Sequence, residues 1–346
     1  MGKFTFFSFV SEQWTRLPPP LSADLSGKTV VVTGSNAGIG LEAAKHFARM
    51  KPARLIVACR SEERGKAALE HIAHKTGYKA ELQLVDFADF SSVEAFAARL
   101  GDDPVDYLVA NAAVAQGTFL ETKDGWEQTI QVNHLSTALL SLLLLPNMAS
   151  AAQKHQCNSR LVIVTSEVHF LVDIGNELQS SSKGILRTLS DREFCTPARF
   201  SKRYEESKLL NVLFVRALSA HLDAALPIVP TGVNPGFCRT TFRKNLPLGT
   251  RIITGIMDVM LGRTPEQGSR QLIHAALGPD GKDGPHVKIM RGAYISCNAL
   301  QEPSDFVVSK EGYDVQERIW RETTDILSET SPAAREVLKQ YFQGRD

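Results

Sequence analysis

The sequence has almost no net charge: 39 Lys and Arg stand against 38 Asp and Glu, leaving a formal +1. Nucleic acid and anionic membrane surfaces select proteins with clustered positive charge that displaces counterions, so neither is an expected partner. Cysteine is scarce. The five present, Cys59, Cys157, Cys195, Cys238 and Cys297, are odd in number and widely spaced, with no C-x-x-C pair. That excludes a disulfide framework and a zinc motif and points to reduced thiols in a cytoplasmic protein. His71 and His74 lie three apart without a third ligand nearby, so no metal is expected. Long apolar runs are also missing. The most apolar stretch, Leu135 to Leu145 before Pro146, is about half a membrane span and carries Ser136, Thr137 and Ser141, which predicts a buried helix. The start, Met1 to Val10, has no signal-peptide pattern, and Phe6 stands where a myristoylation motif beginning at Gly2 needs Ser or Thr.

With 43% apolar and 22% charged residues, the 346-residue chain has enough apolar surface for a full core. Residues 1–26 form an extension rich in aromatics, with Phe4, Phe6, Phe7, Phe9 and Trp14. It ends at Pro18-Pro19-Pro20, which cannot continue a helix, and a docked arm is expected. From Lys28 onward short β-branched runs alternate with helical stretches. Strands are expected at Thr29–Thr33, Arg54–Ala58, Glu81–Val85, Tyr107–Ala110, Arg160–Thr165, Ile228–Asn234 and Ala293–Ile295. Such alternation predicts an α/β fold of the Rossmann type: a doubly wound parallel sheet of about seven strands, flanked by helices, in one domain over residues 27–346. Two segments interrupt the rhythm, 167–203 and 237–265, the second with Ile252, Ile253, Ile256, Met257, Val259, Met260 and Leu261. Long connections in compact domains are commonly functional, and both are expected to act as substrate lids.

The strongest local signal is Thr33-Gly34-Ser35-Asn36-Ala37-Gly38-Ile39-Gly40, between the strand Val30-Val31-Val32 and the helix from Leu41 to Met50. Gly34 suits a sharp strand-to-helix turn, Gly38 a close backbone approach to a pyrophosphate, and Gly40 close packing of helix on strand. The helix N-terminus then offers N–H groups to the anion. NAD sites carry Asp or Glu about 20 residues further on, but here stands Cys59-Arg60-Ser61. An arginine fork pairs with a 2′-phosphate, so the expected cofactor is NADP(H). Asp86, after the strand ending at Val85, would accept from the adenine amino group, or else cap the helix that begins near Ser91.

Tyr204 and Lys208 are four apart in a helical stretch running to Leu218, so they share a face. A free tyrosine is only about 0.1% ionised at neutral pH. A lysine roughly 4 Å away would supply about 4 kcal/mol at an effective dielectric near 20, enough to lower the phenol by about three pH units. Ser166 follows the strand ending at Thr165, where a hydroxyl can hold a carbonyl oxygen. Asn133 would order a water for proton relay, or serve as a packing or capping residue.

Taken together these residues resemble the short-chain dehydrogenase/reductase family, from about Gly27 to about Glu322, most closely its retinol dehydrogenase-like and WW-domain oxidoreductase-like members, although no WW domain is present. The T-G-x-x-x-G-I-G motif falls on Thr33 to Gly40, an altered N-A-G turn on Asn111-Ala112-Ala113, and the Asn-Ser-Tyr-Lys tetrad on Asn133, Ser166, Tyr204 and Lys208. Asn234-Pro235-Gly236 with Thr240 resembles the turn that meets the nicotinamide. The resemblance implies a cofactor site of Gly34, Ser35, Asn36, Gly38, Ile39, Gly40, Arg60, Asp86, Phe87, Asn111, Ala112, Tyr204, Lys208, Pro235, Gly236 and Thr240. It implies hydride transfer between NADP(H) and a carbonyl or alcohol carbon, with Tyr204 exchanging the proton and Ser166 orienting the oxygen. Lys208 is expected to lower the tyrosine pKa and hold the nicotinamide ribose. His169, beside Ser166, is expected to be structural. A lipophilic substrate fits the apolar 252–261 segment. The alternative is a protein of this fold that binds NADP(H) without net redox turnover, against which the complete tetrad speaks. Helices around Asn133–Leu145 and Tyr204–Leu218 form the dimer face in many relatives, so a homodimer is possible.

Overall fold

The computed structural model describes residues 5–239, 255, 257–279 and 285–342. One eight-stranded sheet forms its centre, in the order β3-β2-β1-β4-β5-β6-β7-β8. The strands are β1 (Thr29–Thr33), β2 (Arg54–Cys59), β3 (Glu81–Leu84), β4 (Tyr107–Ala110), β5 (Ser159–Val164), β6 (Ile228–Asn234), β7 (Tyr294–Ser296) and β8 (Ala299–Gln301). The first seven run parallel, in the expected doubly wound arrangement; β8 pairs antiparallel with β7. The eighth strand was not anticipated. It is three exposed residues after a two-residue turn in which Cys297 and Asn298 both have positive φ, 51° and 56°. Such a turn favours Asn and Gly, and cysteine gives no sign of it.

The helices used below are α1 (Phe6–Trp14), α2 (Gly38–Arg49), α3 (Glu62–Thr76), α4 (Phe90–Leu100), α5 (Ser136–Leu143), α6 (Leu145–His155), α7 (Arg203–His221), α8 (Pro265–Leu277), α9 (Lys310–Thr330) and α10 (Pro332–Phe342). They cover both faces of the sheet, which is why β1, β5 and β6 are buried along their whole length. Val31 and Ile56 face one core, with Phe96, Leu139 and Phe214. Val30, Val32 and Val57 face the other, with Phe47 and Leu272. Each such side chain stabilises the fold by about 1.5–3 kcal/mol relative to exposure.

Leu135, Leu139, Leu140, Leu142 and Leu145 are buried, as expected of the leucine-rich run. Pro146 does not end it; proline sits in the first turn of α6, where its missing N–H costs nothing, and the helix axis bends by 45°. Among the described residues no single helix is long and apolar enough to cross a membrane. Beyond the expected framework, α9 and α10 fold back over α5 and α7. Trp320 stacks on Phe214 (centroids 6.0 Å apart) and His221 (4.9 Å), and touches Phe342. The helices considered above as a dimer face are therefore internal to the chain. The arm docks too: α1 opens with a Thr5–Ser8 capping box, and Phe9, Gln13, Leu17 and Leu25 are buried.

Candidate active site

A cleft of about 700 Å³ opens at the carboxyl ends of the strands and runs from Arg60 to Glu205. This is where ligands sit in an open parallel sheet. At one end the glycine turn borders it through Gly34, Asn36, Ala37, Gly38, Ile39 and Gly40. Gly34 has φ +64°, and a Cβ there would come within 2.9 Å of Ala112 Cα. A Cβ on Gly40 would meet the Asn111 amide nitrogen at 2.5 Å and Gly34 O at 2.6 Å. Gly40 thus leaves room for Asn111, whose Nδ2 donates to Thr33 O (2.9 Å) and Gly34 O (3.3 Å). Thr33 Oγ1 accepts from the N–H groups of Asn111 and Ala112, both at 3.0 Å. Asn111 and Ala112 border the cleft while tying the turn after β4 to the glycine loop.

The N-cap of α2, Ala37, makes no side-chain hydrogen bond to the first-turn N–H groups, and Gly38, Ile39 and Gly40 of that turn border the cleft. An anionic pyrophosphate fits that end. Ser35 departs from the expected site. It is fully buried, its hydroxyl donates to Val32 O (2.6 Å) and accepts from Ala58 N–H (3.1 Å), and it does not border the cleft. Arg60 and Asp86 do border it, with Nη1 and Oδ2 3.9 Å apart in an exposed pair that contributes little to stability. Asp86 is not the helix cap: α4 is capped by Asp89, whose carboxylate accepts from Ser92 N–H, while Asp86 Oδ1 accepts from Ala88 N–H. Phe87 lies beside it on the cleft wall. Arg64, in the first turn of α3, borders the same space; the sequence reading missed it, since Arg60 lies before the helix and no helical spacing links the two.

At the other end Tyr204 is half-buried on α7, whose start is pinned by Arg203. That guanidinium, 1% exposed, reaches Glu206 (3.0 Å) and Glu127 (3.7 Å). Lys208 Nζ lies 5.7 Å from the Tyr204 ring centroid and donates to Val164 O at 2.8 Å. A charged lysine on this side of the ring favours the phenolate over the neutral phenol. Burial pushes Lys208 itself down to about 7. Ser166 is the second residue past β5, and its hydroxyl accepts from Val168 N–H (3.4 Å) at the start of the short helix Glu167–Leu171. Its carbonyl accepts from His169 Nδ1 (2.7 Å), and His169 Nε2 accepts from Ser304 N–H (3.2 Å). Burial holds His169 down at about 4, so it is a neutral strut; it does not border the cleft.

Asn133 sits in a π-helical turn, Gln131–Leu135, and its amide is committed. Nδ2 donates to Val114 O and Ser207 Oγ, each at 2.9 Å, and Oδ1 accepts from Val114 N–H at 2.8 Å. The side chain therefore braces the cleft wall and does not border the cleft itself. Pro235 and Gly236 do border it; Gly236 has φ +79° and packs on Arg263, which leaves no space for a Cβ. Thr240 lies outside the described residues, as do Ile252, Ile253 and Ile256. Apolar Val168, Pro197, Phe200 and Phe237 line the far end beside Glu205, whose carboxyl burial pushes up. A phenol beside a buried amine, with a hydroxyl in the same cleft, can move a proton at a substrate oxygen.

Residues 28–193 match the family described as short chain dehydrogenase. The chain is 33% identical over 332 residues to the short-chain dehydrogenase anuD of Penicillium roqueforti, covering 94% of this chain and 84% of that protein. It is 34% identical over 328 residues to the short chain dehydrogenase/reductase dmxR8 of Cryptosporiopsis, covering 93% and 97%. Among solved structures, the NADPH-bound carbonyl reductase from chicken fatty liver matches with a TM-score of 0.57 at 19% identity, over 81% of this chain and 95% of that one. A variant of the actinorhodin polyketide ketoreductase with NADPH matches at 0.55 and 21%, over 78% and 95%. Full-length identity of this order, on a sheet whose strand ends gather the motif residues into one cleft, places the chain in the short-chain dehydrogenase/reductase family of oxidoreductases.

Proposed function

We propose that the protein is an NADP(H)-dependent carbonyl reductase acting on a lipophilic ketone or aldehyde. The observation that carries this is the single cleft joining two cationic side chains, Arg60 and Arg64, to Tyr204, Ser166 and Lys208. No carboxylate takes the place at the end of β2 that binds a ribose 2′-hydroxyl in NAD sites; a 2′-phosphate would find two guanidinium groups there instead. NADPH-bound neighbours of the same fold support this reading.

When bound, the cofactor supplies a hydride to the carbonyl carbon. Gly34 and Gly38 admit the pyrophosphate to the N-terminus of α2, and Pro235 and Gly236 border the nicotinamide end. The Ser166 hydroxyl donates to the substrate oxygen and fixes its direction. Tyr204 gives its proton to that oxygen as the carbinol forms, and Lys208, when charged, stabilises the phenolate left behind. Val168 and Phe200 of the 167–203 segment and Phe237, just past β6, wall the apolar end where a lipophilic substrate would sit.

Fluorescence titration of the protein with NADPH and NADH, repeated on Arg60→Ala, tests the assignment. NADPH is expected to bind at least about tenfold more tightly than NADH, with the preference largely lost in the variant. Preference for NADH would retract the role of Arg60, and binding of neither would overturn the proposed reaction.

A further inference from the structure

The N-terminal arm reaches the reaction centre. Phe9 of α1 meets Phe237 edge-on, ring centroids 6.3 Å apart. The carbonyl of Glu12 accepts from Arg263 Nη2 at 2.5 Å, and the same guanidinium donates to Pro235 O at 3.3 Å. Gln13, 6% exposed, uses both ends of its amide. Its Nε2 donates to the two carboxylate oxygens of Glu167, each at 3.3 Å, and its Oε1 accepts from the backbone N–H of Phe237 at 3.2 Å. Glu167 directly follows Ser166, and Phe237 directly follows Pro235-Gly236. The β5–β6 pairing ends at Val164 with Val233. Past that point the two strands part to open the cleft, and side chains set the distance between their ends. Asn234 supplies the inner link, donating to Glu167 Oε2 (3.2 Å) and accepting from Gly236 N–H (3.0 Å). Gln13 supplies the outer one.

We propose that Gln13 is a positioning residue of the active site: an amide carried in by the N-terminal helix fixes Ser166 relative to the Pro235–Phe237 turn, so the arm belongs to the catalytic unit. This rests on the proposed reaction, in which those two segments flank the carbonyl and the nicotinamide. The chemistry asks for an amide, because one partner is an acceptor and the other a donor. Alanine serves neither. Glutamate serves both only while protonated, and it would join Glu12 on α1 and Glu167, with Arg263, Tyr294 of β7 and Cys297 of the β7–β8 turn as the other titratable groups facing that spot.

Full-length wild type, Gln13→Ala and Gln13→Glu are compared by hydrogen exchange without added ligand and by steady-state NADPH oxidation. In Gln13→Ala the segment carrying Phe237 is expected to exchange about tenfold faster while β1 to β6 stay protected. Its kcat should fall at least about tenfold, with KM for NADPH within about twofold, as a misplaced reacting geometry requires. Measured against wild type at the same pH, Gln13→Glu should come closest to wild-type turnover near pH 6 and fall away from it as the new carboxyl ionises towards pH 8.5, a divergence that a merely structural role would not produce. Unchanged exchange at Phe237, a wild-type kcat in Gln13→Ala, or loss of protection spread over the whole sheet would each overturn the positioning role. Failure of the wild type to bind or oxidise NADPH is a separate result; it would remove the reaction and this inference with it.

Discussion

Lys208→Met should make the ligand-free protein more stable near neutrality while abolishing turnover, and the size of the gain should depend on pH. Lys208 is fully buried, and desolvation brings its pKa from 10.5 to about 7. In the unfolded chain the amine keeps its proton up to about pH 10.5, whereas the folded chain releases it near 7. Between those values the unfolded state binds more protons, so wild-type stability rises with pH across that window. The lysine costs the folded state about 4 kcal/mol at pH 7 and about 1 kcal/mol at pH 9.5. Methionine fills similar volume without a charge but leaves Val164 O without the 2.8 Å bond it now accepts, a loss of about 1 kcal/mol at either pH. The variant should therefore gain about 3 kcal/mol at pH 7 and close to nothing at pH 9.5. Urea unfolding at both values, read as midpoints at constant slope, measures this directly. A gain that does not change with pH, or a variant less stable than wild type at pH 7, would refute the reasoning.

Asn133→Ala strips three hydrogen bonds from the π-helical turn, one fully buried, and removes the side-chain partner of both backbone polar groups of Val114, at about 3 kcal/mol; calorimetry should show Tm lower by about 4 °C. A shift under about 1 °C would mean that the π turn does not depend on this side chain. Trp320→Ala removes the ring that seats α9 on Phe214 and His221, which should cost about 3–5 kcal/mol. Because α9 and α10 cover α5 and α7, light scattering on the wild type should give the mass of one chain, and a dimer formed through those helices would contradict the packing.

The central strands were legible because burial on both faces asks for short β-branched apolar runs, which the chain writes plainly in Val30–Val32 of β1 and Leu161–Val164 of β5. The pairing of Tyr204 with Lys208 was legible because four residues of helix bring them to one side whatever the rest of the fold does. Arg64 escapes that rule: Arg60 precedes the Ser61 cap of α3, so helical spacing does not link the two. The motif around Gly34 carried less than it suggested. It fixes which residues make the turn, yet Ser35 sits among the glycines and points its hydroxyl into the β1–β2 seam. Whether Asp86 caps the helix was likewise decided by distance: Asp89, not Asp86, reaches Ser92 N–H, a matter of a few ångströms that spacing does not resolve.

What stayed hidden depends on contacts between distant parts of the chain. The buried positions of α9, Val315, Ile319, Trp320, Ile326 and Leu327, recur with helical spacing, so its apolar face could be seen. Nothing in that spacing names α7 as the surface it covers, and without that the dimer question stays open. Gln13 is the sharper case. Its two partners lie 154 and 224 positions further along, and a lone glutamine between a glutamate and a tryptophan has no local pattern to betray it. The residues that do chemistry are announced by short spacings because helices and turns must present them together. Those that hold the chemistry in register are recruited across the fold by shape and hydrogen-bond sense, and they become visible only where an amide is found with a donor on one side and an acceptor on the other.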